Sequence, residues 1–367
     1  MQARALTRFL TALIDQGRAR VLVPAYRPST GHWFGGGNLI QLADGTLLLS
    51  GRYRNYGDSR TGLGAGERGL ECAVFASEDR GRTFRKIVSF SKADLSQSGA
   101  EVVSIEGTSL HALLDGSIEL FVSSEKDIPY PDGLAEYQKP GTGVWSIDRI
   151  AAPSVSSLDP ARMEPVIANH DLPEYLHVKD PSVFNMPDGD TGLIFCSHPF
   201  TWASSNTGLA IRRSGASPFD IVDWEAASRG PTWDIAATRV TGRLAVPALG
   251  AFADGPPRFV YFYDGAECLR KLDENPNARR RPRGYSCEEL GGAFVGGPLP
   301  TRDMQRLSRL APLFVSPYGT GSSRYVSTLT LEEGILAIWQ QSQPDESQPL
   351  VGHVLPMNEV ERLLRPG

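Results

Sequence analysis

The chain has 367 residues, of which 41% are hydrophobic, enough for a large packed interior. It has no apolar run near the ~18 residues that mark a membrane-spanning helix. A net charge of −5 argues against a nucleic-acid scaffold, so neither a nucleic-acid nor a membrane partner is expected. Glycine and proline, 38 and 27 residues, favour a turn-rich β protein.

In chain order, the first signal is an amphipathic helix with Leu6, Phe9, Leu10, Leu13 and Ile14 on one face. This stretch lacks the apolar core and small-residue cleavage site of a secretory leader. Cys72, Cys196, Cys268 and Cys287 are far apart and form no CxxC pair. They read as free thiols in a reducing compartment, which makes a cytoplasmic location the expectation. The arginine run 279–283 reads as a solvated loop.

A β-hairpin pattern then recurs five times. Two short apolar runs flank Asp44-Gly45, Asp115-Gly116, Asp188-Gly189, Asp254-Gly255 and Glu333-Gly334 in turn, at spacings of 71, 73, 66 and 79 residues. Near-constant spacing over five copies signals radial repetition, and a unit of about 70 residues holds four strands of ~5–6 residues. Outer strands follow at 71–76, 84–88, 143–147 and 208–212. The predicted fold is therefore all-β: a five-bladed β-propeller of four-stranded antiparallel blades occupying residues 1–367 as a single domain. Arg20-Val21-Leu22-Val23-Pro24 closes the ring, and a helix over 357–364 ends the chain.

In such a ring the residues entering each innermost strand converge on the axis. Counting back eight or nine positions from each turn gives Gly35/Gly36, Glu106, Asp180, Ala245/Val246 and Arg324. Three of the five are ionisable, where a plain hairpin would carry small or apolar residues. His177 and Lys179 flank Asp180, and Trp233, Asp234 and Arg239 enter the fourth blade. The first blade offers His32, Trp33 and Asn38 around three adjacent glycines, with Arg52 and Arg54 leaving its hairpin. Glu288-Glu289 is a further acid pair. Each has a plainer reading: Asp180 as a turn cap before Pro181, Glu106 as a surface acid, Arg324 in an inter-blade ion pair, the histidines bonding a neighbour.

Carboxylates, arginines and tryptophans in one funnel suit carbohydrate. Glycosidic cleavage needs one carboxyl as acid and another as base or nucleophile, and crowded like charges raise one pKa while leaving the other group ionised. We expect Asp180, Glu106 and Asp234 to fill those catalytic and orienting roles. Arg324, Arg239, His177, Lys179, Asn38, His32, Trp33, Trp233, Arg52 and Glu289 are the expected substrate contacts. No His/Asp/Glu spacing specifies a metal and no cofactor is expected; an axial Ca²⁺, possible in such propellers, has no support in the sequence.

Lys179-Asp180-Pro181-Ser182-Val183-Phe184 looks like the Asp-Pro strand entries of the five-bladed glycoside hydrolases of families 32, 43, 68, 117 and 130. The resemblance implies that Asp180 is a catalytic or substrate-orienting carboxylate. Ser77-Glu78-Asp79-Arg80-Gly81-Arg82-Thr83-Phe84 resembles the Asp box, a structural turn of sialidases and related propellers. The leading expectation is an exo-acting glycoside hydrolase on short oligosaccharides, with the inserts 129–140 and 275–292 walling one end of the funnel. One alternative is a sialidase-like hydrolase using Arg239, Arg324 and Arg52 or Arg54 with Tyr318 or Tyr325; five copies and a single Asp box oppose it. The other is a non-catalytic propeller that binds sugar or protein, opposed by the charged strand entries. The sugar, the linkage, the stereochemistry and the oligomeric state are left open.

Overall fold

A computed structural model describes residues 2–55, 68–169, 171–214, 218–268 and 289–366. The arginine run 279–283, Cys287, Glu288 and most of the 275–292 insert lie outside the described residues. The chain forms five antiparallel sheets arranged as the blades of a propeller. Its first strand, β1 (Arg20–Val23), belongs to the last blade. Blade one contains β2 (Trp33–Gly35), β3 (Leu39–Gln41), β4 (Leu47–Arg54), β5 (Glu71–Ser77) and β6 (Arg85–Ser91). Blade two is β7 (Val102–Ala112), β8 (Ile118–Lys126), β9 (Val144–Ala152) and β10 (Glu164–Ile167). Blade three is β11 (His177–Asn185), β12 (Thr191–His198), β13 (Asn206–Arg212) and β14 (Asp220–Ala227). Blade four is β15 (Ala237–Ala245), β16 (Phe259–Ala266), β17 (Leu290–Gly296) and β18 (Gln305–Arg306). Blade five is β19 (Ser323–Thr330), β20 (Gly334–Gln341) and β21 (Leu350–Pro356), completed by β1 on β21, which closes the ring as the sequence predicts.

The hairpin turns have a local cause. Gly45, Gly116 and Gly189 hold φ of 89°, 86° and 86°, which only glycine adopts at little cost. The preceding Asp44, Asp115 and Asp188 accept the backbone N–H two residues on, at 2.9, 2.9 and 3.2 Å. Asp254-Gly255 differs, because it lies within the long connection between β15 and β16. Counting from that turn therefore lands on Ala245 and Val246 at the far end of β15. The residue of blade four that belongs beside the axis is nearer Arg239.

Every innermost strand is irregular at the same level. The ladder slips between Ile105 and Thr108, Lys179 and Ser182, Val240 and Gly242, and Arg324 and Ser327. In blade one the strand breaks outright between β2 and β3, both of which pair with β4. A Cβ on Gly37 would stand 1.9 Å from Ser50 O, so the break requires glycine there. A bulge turns a side chain out of its alternation, and these bulges present Glu106, Asp180 and Tyr325 at equivalent positions.

Side chains tie the blades to one another. Asn38 donates to Leu110 O at 2.8 Å and accepts from Leu110 N at 2.7 Å, a clamp between blades one and two. Glu119 receives both Arg212 nitrogens at 2.6 and 2.7 Å, Arg149 at 2.8 Å and the His111 ring at 2.9 Å. The turn from β5 to β6 is held by Asp79, which accepts from Ser77 Oγ, Thr83 N and Thr83 Oγ1 at 2.8, 2.8 and 2.6 Å. The helices α1 (Gln2–Leu13), α2 (Lys92–Leu95) and α3 (Met357–Leu364) are accessory. Leu6, Phe9, Leu10 and Leu13 of α1 join Val360 and Leu364 of α3 in a cluster with Phe262 and Trp339 of blades four and five. Among the described residues no helix is long and apolar enough to cross a membrane.

Candidate active site

The bulges gather an ion-pair network on the axis. Glu106 of blade two meets Arg52 at 3.3 Å and Arg54 at 3.4 Å, both from β4 of blade one, and accepts from Ser104 Oγ at 3.1 Å. Asp180 of blade three stands 3.8 Å from Lys179 and 3.9 Å from Arg239 of blade four. Arg239 also pairs with Glu289, which sits just before β17, and Arg324 of blade five pairs with the second oxygen of Glu289. Four blades thus contribute cations and three contribute carboxylates.

Asp180 is the most constrained member. Its φ is 54°, the left-handed region where a residue other than glycine costs about 1–3 kcal/mol. Its Oδ1 accepts Gly107 N at 3.1 Å, and its Oδ2 accepts the Cys196 thiol at 3.2 Å and Tyr325 Oη at 3.5 Å. Burial and the neighbouring Asp180 charge push the Cys196 thiol well up, so it stays a donor. A Cβ on Gly107 would come within 2.5 Å of Asp180 Oδ1, so glycine there lets blade two reach this carboxylate.

Tyr325 is buried and shares the left-handed backbone, with φ 56°. Asp264 of β16 holds it by accepting Tyr325 N at 3.0 and 3.2 Å on its two oxygens. Burial pushes the Asp264 carboxyl up to about 8, against the pull of Arg239. Glu106 and Glu289 go the other way. Burial would raise both, but Arg54 and Arg52 hold Glu106, and Arg239 and Arg324 hold Glu289, well below the usual carboxylate range. Crowded carboxylates were expected to keep one partner protonated. Arginines outweigh that repulsion here, and the carboxyl that stays protonated is Asp264.

Because the folded carboxyl of Asp264 binds a proton that the unfolded one has released, stability falls as pH rises from about 4 towards 8. Asp264→Asn removes this dependence. In urea unfolding followed from pH 5 to 9, the variant should gain on the wild type with pH by up to about 1.4 kcal/mol per unit. Parallel curves would contradict the assignment.

An aromatic wall stands beside Lys179. Its Nζ lies 5.3 Å from the Trp145 ring and 5.8 Å from the Trp202 ring. Trp202, with φ 54°, stacks on His177 at 4.5 Å and tilts against His198 at 4.4 Å. Tyr130 Oη bonds His177 Nε2 at 3.0 Å. Burial, with Lys179 adding to it, lowers His177 to about 3, so this imidazole is neutral. Ile128, Tyr130, Leu134 and Val144 of the segment 128–144 cluster with Leu176 and Phe200, and Tyr130 meets the wall edge-on at the His177 ring, 5.4 Å between centroids.

The sequence candidates divide accordingly. Glu106, Asp180, Lys179, Arg52, Arg239, Arg324 and Glu289 meet at the axis, and Trp33 joins them beneath Arg54 at 5.0 Å and Arg324 at 6.0 Å. His177 lies in the wall. Asn38 is an inter-blade clamp, and His32 bonds Ser29 and Thr30 within its own loop at 3.1 and 3.3 Å. Asp234 lies elsewhere: its Oδ2 accepts from Arg306 Nε at 2.7 Å and Tyr263 Oη at 2.8 Å, and among the described residues no contact joins it to the axial carboxylates. Trp233 stacks on Tyr263 at 5.5 Å within blade four. Of the residues invoked by the sialidase-like alternative, Arg52, Arg239, Arg324 and Tyr325 converge, whereas Tyr318 is 41% exposed. The sequence reading missed Asp264, Cys196 and Trp202. Among the described residues no group of three or more His, Cys, Asp or Glu side chains could hold a metal ion.

No protein-family model and no curated protein matches the chain. Solved structures share its fold. A BT0996 RGII complex is 12% identical with a TM-score of 0.61, covering 97% of this chain and 96% of its own. The α-L-arabinofuranosidase from Lactobacillus brevis is 13% identical with a TM-score of 0.55, covering 90% and 92%. RS223-β-xylosidase is 9% identical with a TM-score of 0.55, covering 92% and 95%. At such identities the likeness concerns the fold.

Proposed function

We propose that this chain is a glycoside hydrolase that acts exo on short oligosaccharides, with Asp180 and Glu289 as the reacting carboxyl pair and Glu106 as an ionised orienting carboxylate. The observation that carries this reading is that three blades bring buried carboxylates to the bulged strand entries, with Arg239 bridging Asp180 and Glu289 and with Arg52 and Arg54 holding Glu106. A scaffold element seldom buries so many charges, because each costs several kcal/mol to desolvate. Glu289 replaces Asp234 in the catalytic set because Arg239 links it to Asp180. Two arginines keep Glu289 ionised, which suits a base or nucleophile. That two similar structures are an arabinofuranosidase and a β-xylosidase supports hydrolysis of a glycosidic bond. The packed segment 128–144 beside the aromatic wall supports a closed end and hence exo action.

The test is turnover by purified protein on a broad panel of aryl glycosides and oligosaccharides, with products resolved by chromatography. Release of terminal monosaccharides is expected. No turnover on any member would sink the reading, and internal fragments would sink the exo mode.

A further inference from the structure

Tyr325 is held by its backbone and by both faces of its ring, and its hydroxyl is left to reach Asp180. The backbone takes a left-handed φ of 56°, which a tyrosine adopts only where its surroundings secure it. Asp264 of blade four does so, accepting Tyr325 N on its two oxygens at 3.0 and 3.2 Å. Asp264 stands directly opposite Arg239 on the β15–β16 ladder, so one rung of blade four serves both Tyr325 and the Arg239 bridge. Arg52 of blade one and Arg324 of blade five flank the ring, their guanidinium carbons 5.6 and 5.3 Å from its centroid.

The hydroxyl at the end of this arrangement meets Asp180 Oδ2 at 3.5 Å, and the Cys196 thiol meets the same oxygen at 3.2 Å. Tyr325 is buried, and a tyrosine used for packing alone would desolvate a hydroxyl that phenylalanine lacks. Burial, with the Asp180 charge adding to it, pushes this hydroxyl well up, so it is a donor. A donor on a carboxylate favours the ionised form and fixes the direction in which the group faces. The other charged groups around the pair are Lys179 and Arg239, at 3.8 and 3.9 Å from Asp180, with Arg52, Arg324 and Glu289 beside the tyrosine.

Resting on the glycoside-hydrolase reading, we propose that Tyr325, fixed by Asp264, is a positioning residue that orients the Asp180 carboxyl through its hydroxyl. Tyr325→Phe removes one oxygen from an otherwise unchanged ring, and a thermal melt checks the fold. Carbon NMR of protein labelled at the aspartate carboxyls follows Asp180, whose signal is identified by its loss in Asp180→Asn. Asp264, pushed up to about 8 by burial, titrates in the same experiment and is identified in the same way with Asp264→Asn. Turnover of the aryl glycoside that the wild type cleaves fastest is measured against pH in parallel. Losing the donor should raise the Asp180 midpoint by about half a unit. It should lower kcat about tenfold with KM little changed, and one limb of the pH–rate profile should move up with the carboxyl. An unmoved midpoint, or a kcat loss equal at every pH, overturns the positioning role while leaving a glycoside hydrolase. A raised midpoint in a protein that cleaves no glycoside supports the hold of Tyr325 on Asp180 and overturns the hydrolase reading. An unmoved midpoint without turnover overturns both.

Discussion

Asp180→Asn should lower turnover by roughly 10³-fold, within the 10²–10⁴ range that a positioned acid or base contributes, while leaving the fold intact. Asparagine suits the site for a backbone reason: it tolerates the left-handed region that Asp180 occupies at φ 54°. It is also isosteric, so its side-chain oxygen can still accept Gly107 N or the Cys196 thiol. What it loses is a carboxyl that can exchange a proton or act as a nucleophile. Asp180→Ala is the less informative variant, because it adds backbone strain to the chemical loss. If Asp180 donates the proton, the Asn variant should lose least on dinitrophenyl glycosides, whose leaving group needs no acid, and most on oligosaccharides. A uniform loss would instead point to a nucleophile. Wild-type turnover with an unchanged thermal melt would remove Asp180 from the mechanism.

The largest effect on stability is expected at Glu106. Glu106→Ala leaves Arg52 and Arg54 without their shared carboxylate, and Arg52 is 1% exposed. Breaking a buried pair by removing one partner typically costs about 3–5 kcal/mol, because the remaining charge is left uncompensated. Glu106→Gln keeps one acceptor oxygen, for Arg52 Nη2 or for Ser104 Oγ, and should recover part of the loss. The pH dependence has a definite sign. The folded carboxyl lies below its unfolded value, so its contribution is full at neutral pH and is lost only as pH falls through the folded pKa. The gap between wild type and variant should therefore hold from pH 8 to about pH 5 and narrow only below the ordinary carboxylate value of about 4. Urea midpoints across that range measure it, and a gap under about 1 kcal/mol would show that other groups already balance the arginines.

The ring was legible because its turns obey local rules. Asp-Gly pairs need glycine at positive φ whatever the surroundings, so Gly45, Gly116 and Gly189 announced three blades on their own. Fixed distances from those turns then found Glu106 and Asp180. The same counting picked Arg324 where the bulge presents Tyr325, since a slip of one residue is a matter of cross-strand pairing. Blade four escaped the count because its connection is long, and there Arg239 was found only as a charged residue near a strand start. Asp234 looked equivalent in sequence, but its side chain is drawn to Arg306 and Tyr263. Asp264 and Cys196 carried no signal at all. Each lies on the second strand of its blade, and each matters through a contact with an inner strand that only the folded register creates.

A structure of Asp180→Asn with a bound oligosaccharide would test the axial site most directly. The account predicts the scissile oxygen between the side chains at 180 and 289, with the sugar ring over Trp33 or Trp202 and the arginines of blades one, four and five around it. A sugar bound on the rim of a blade, with Arg239 and Glu289 still closed on each other and untouched, would contradict it.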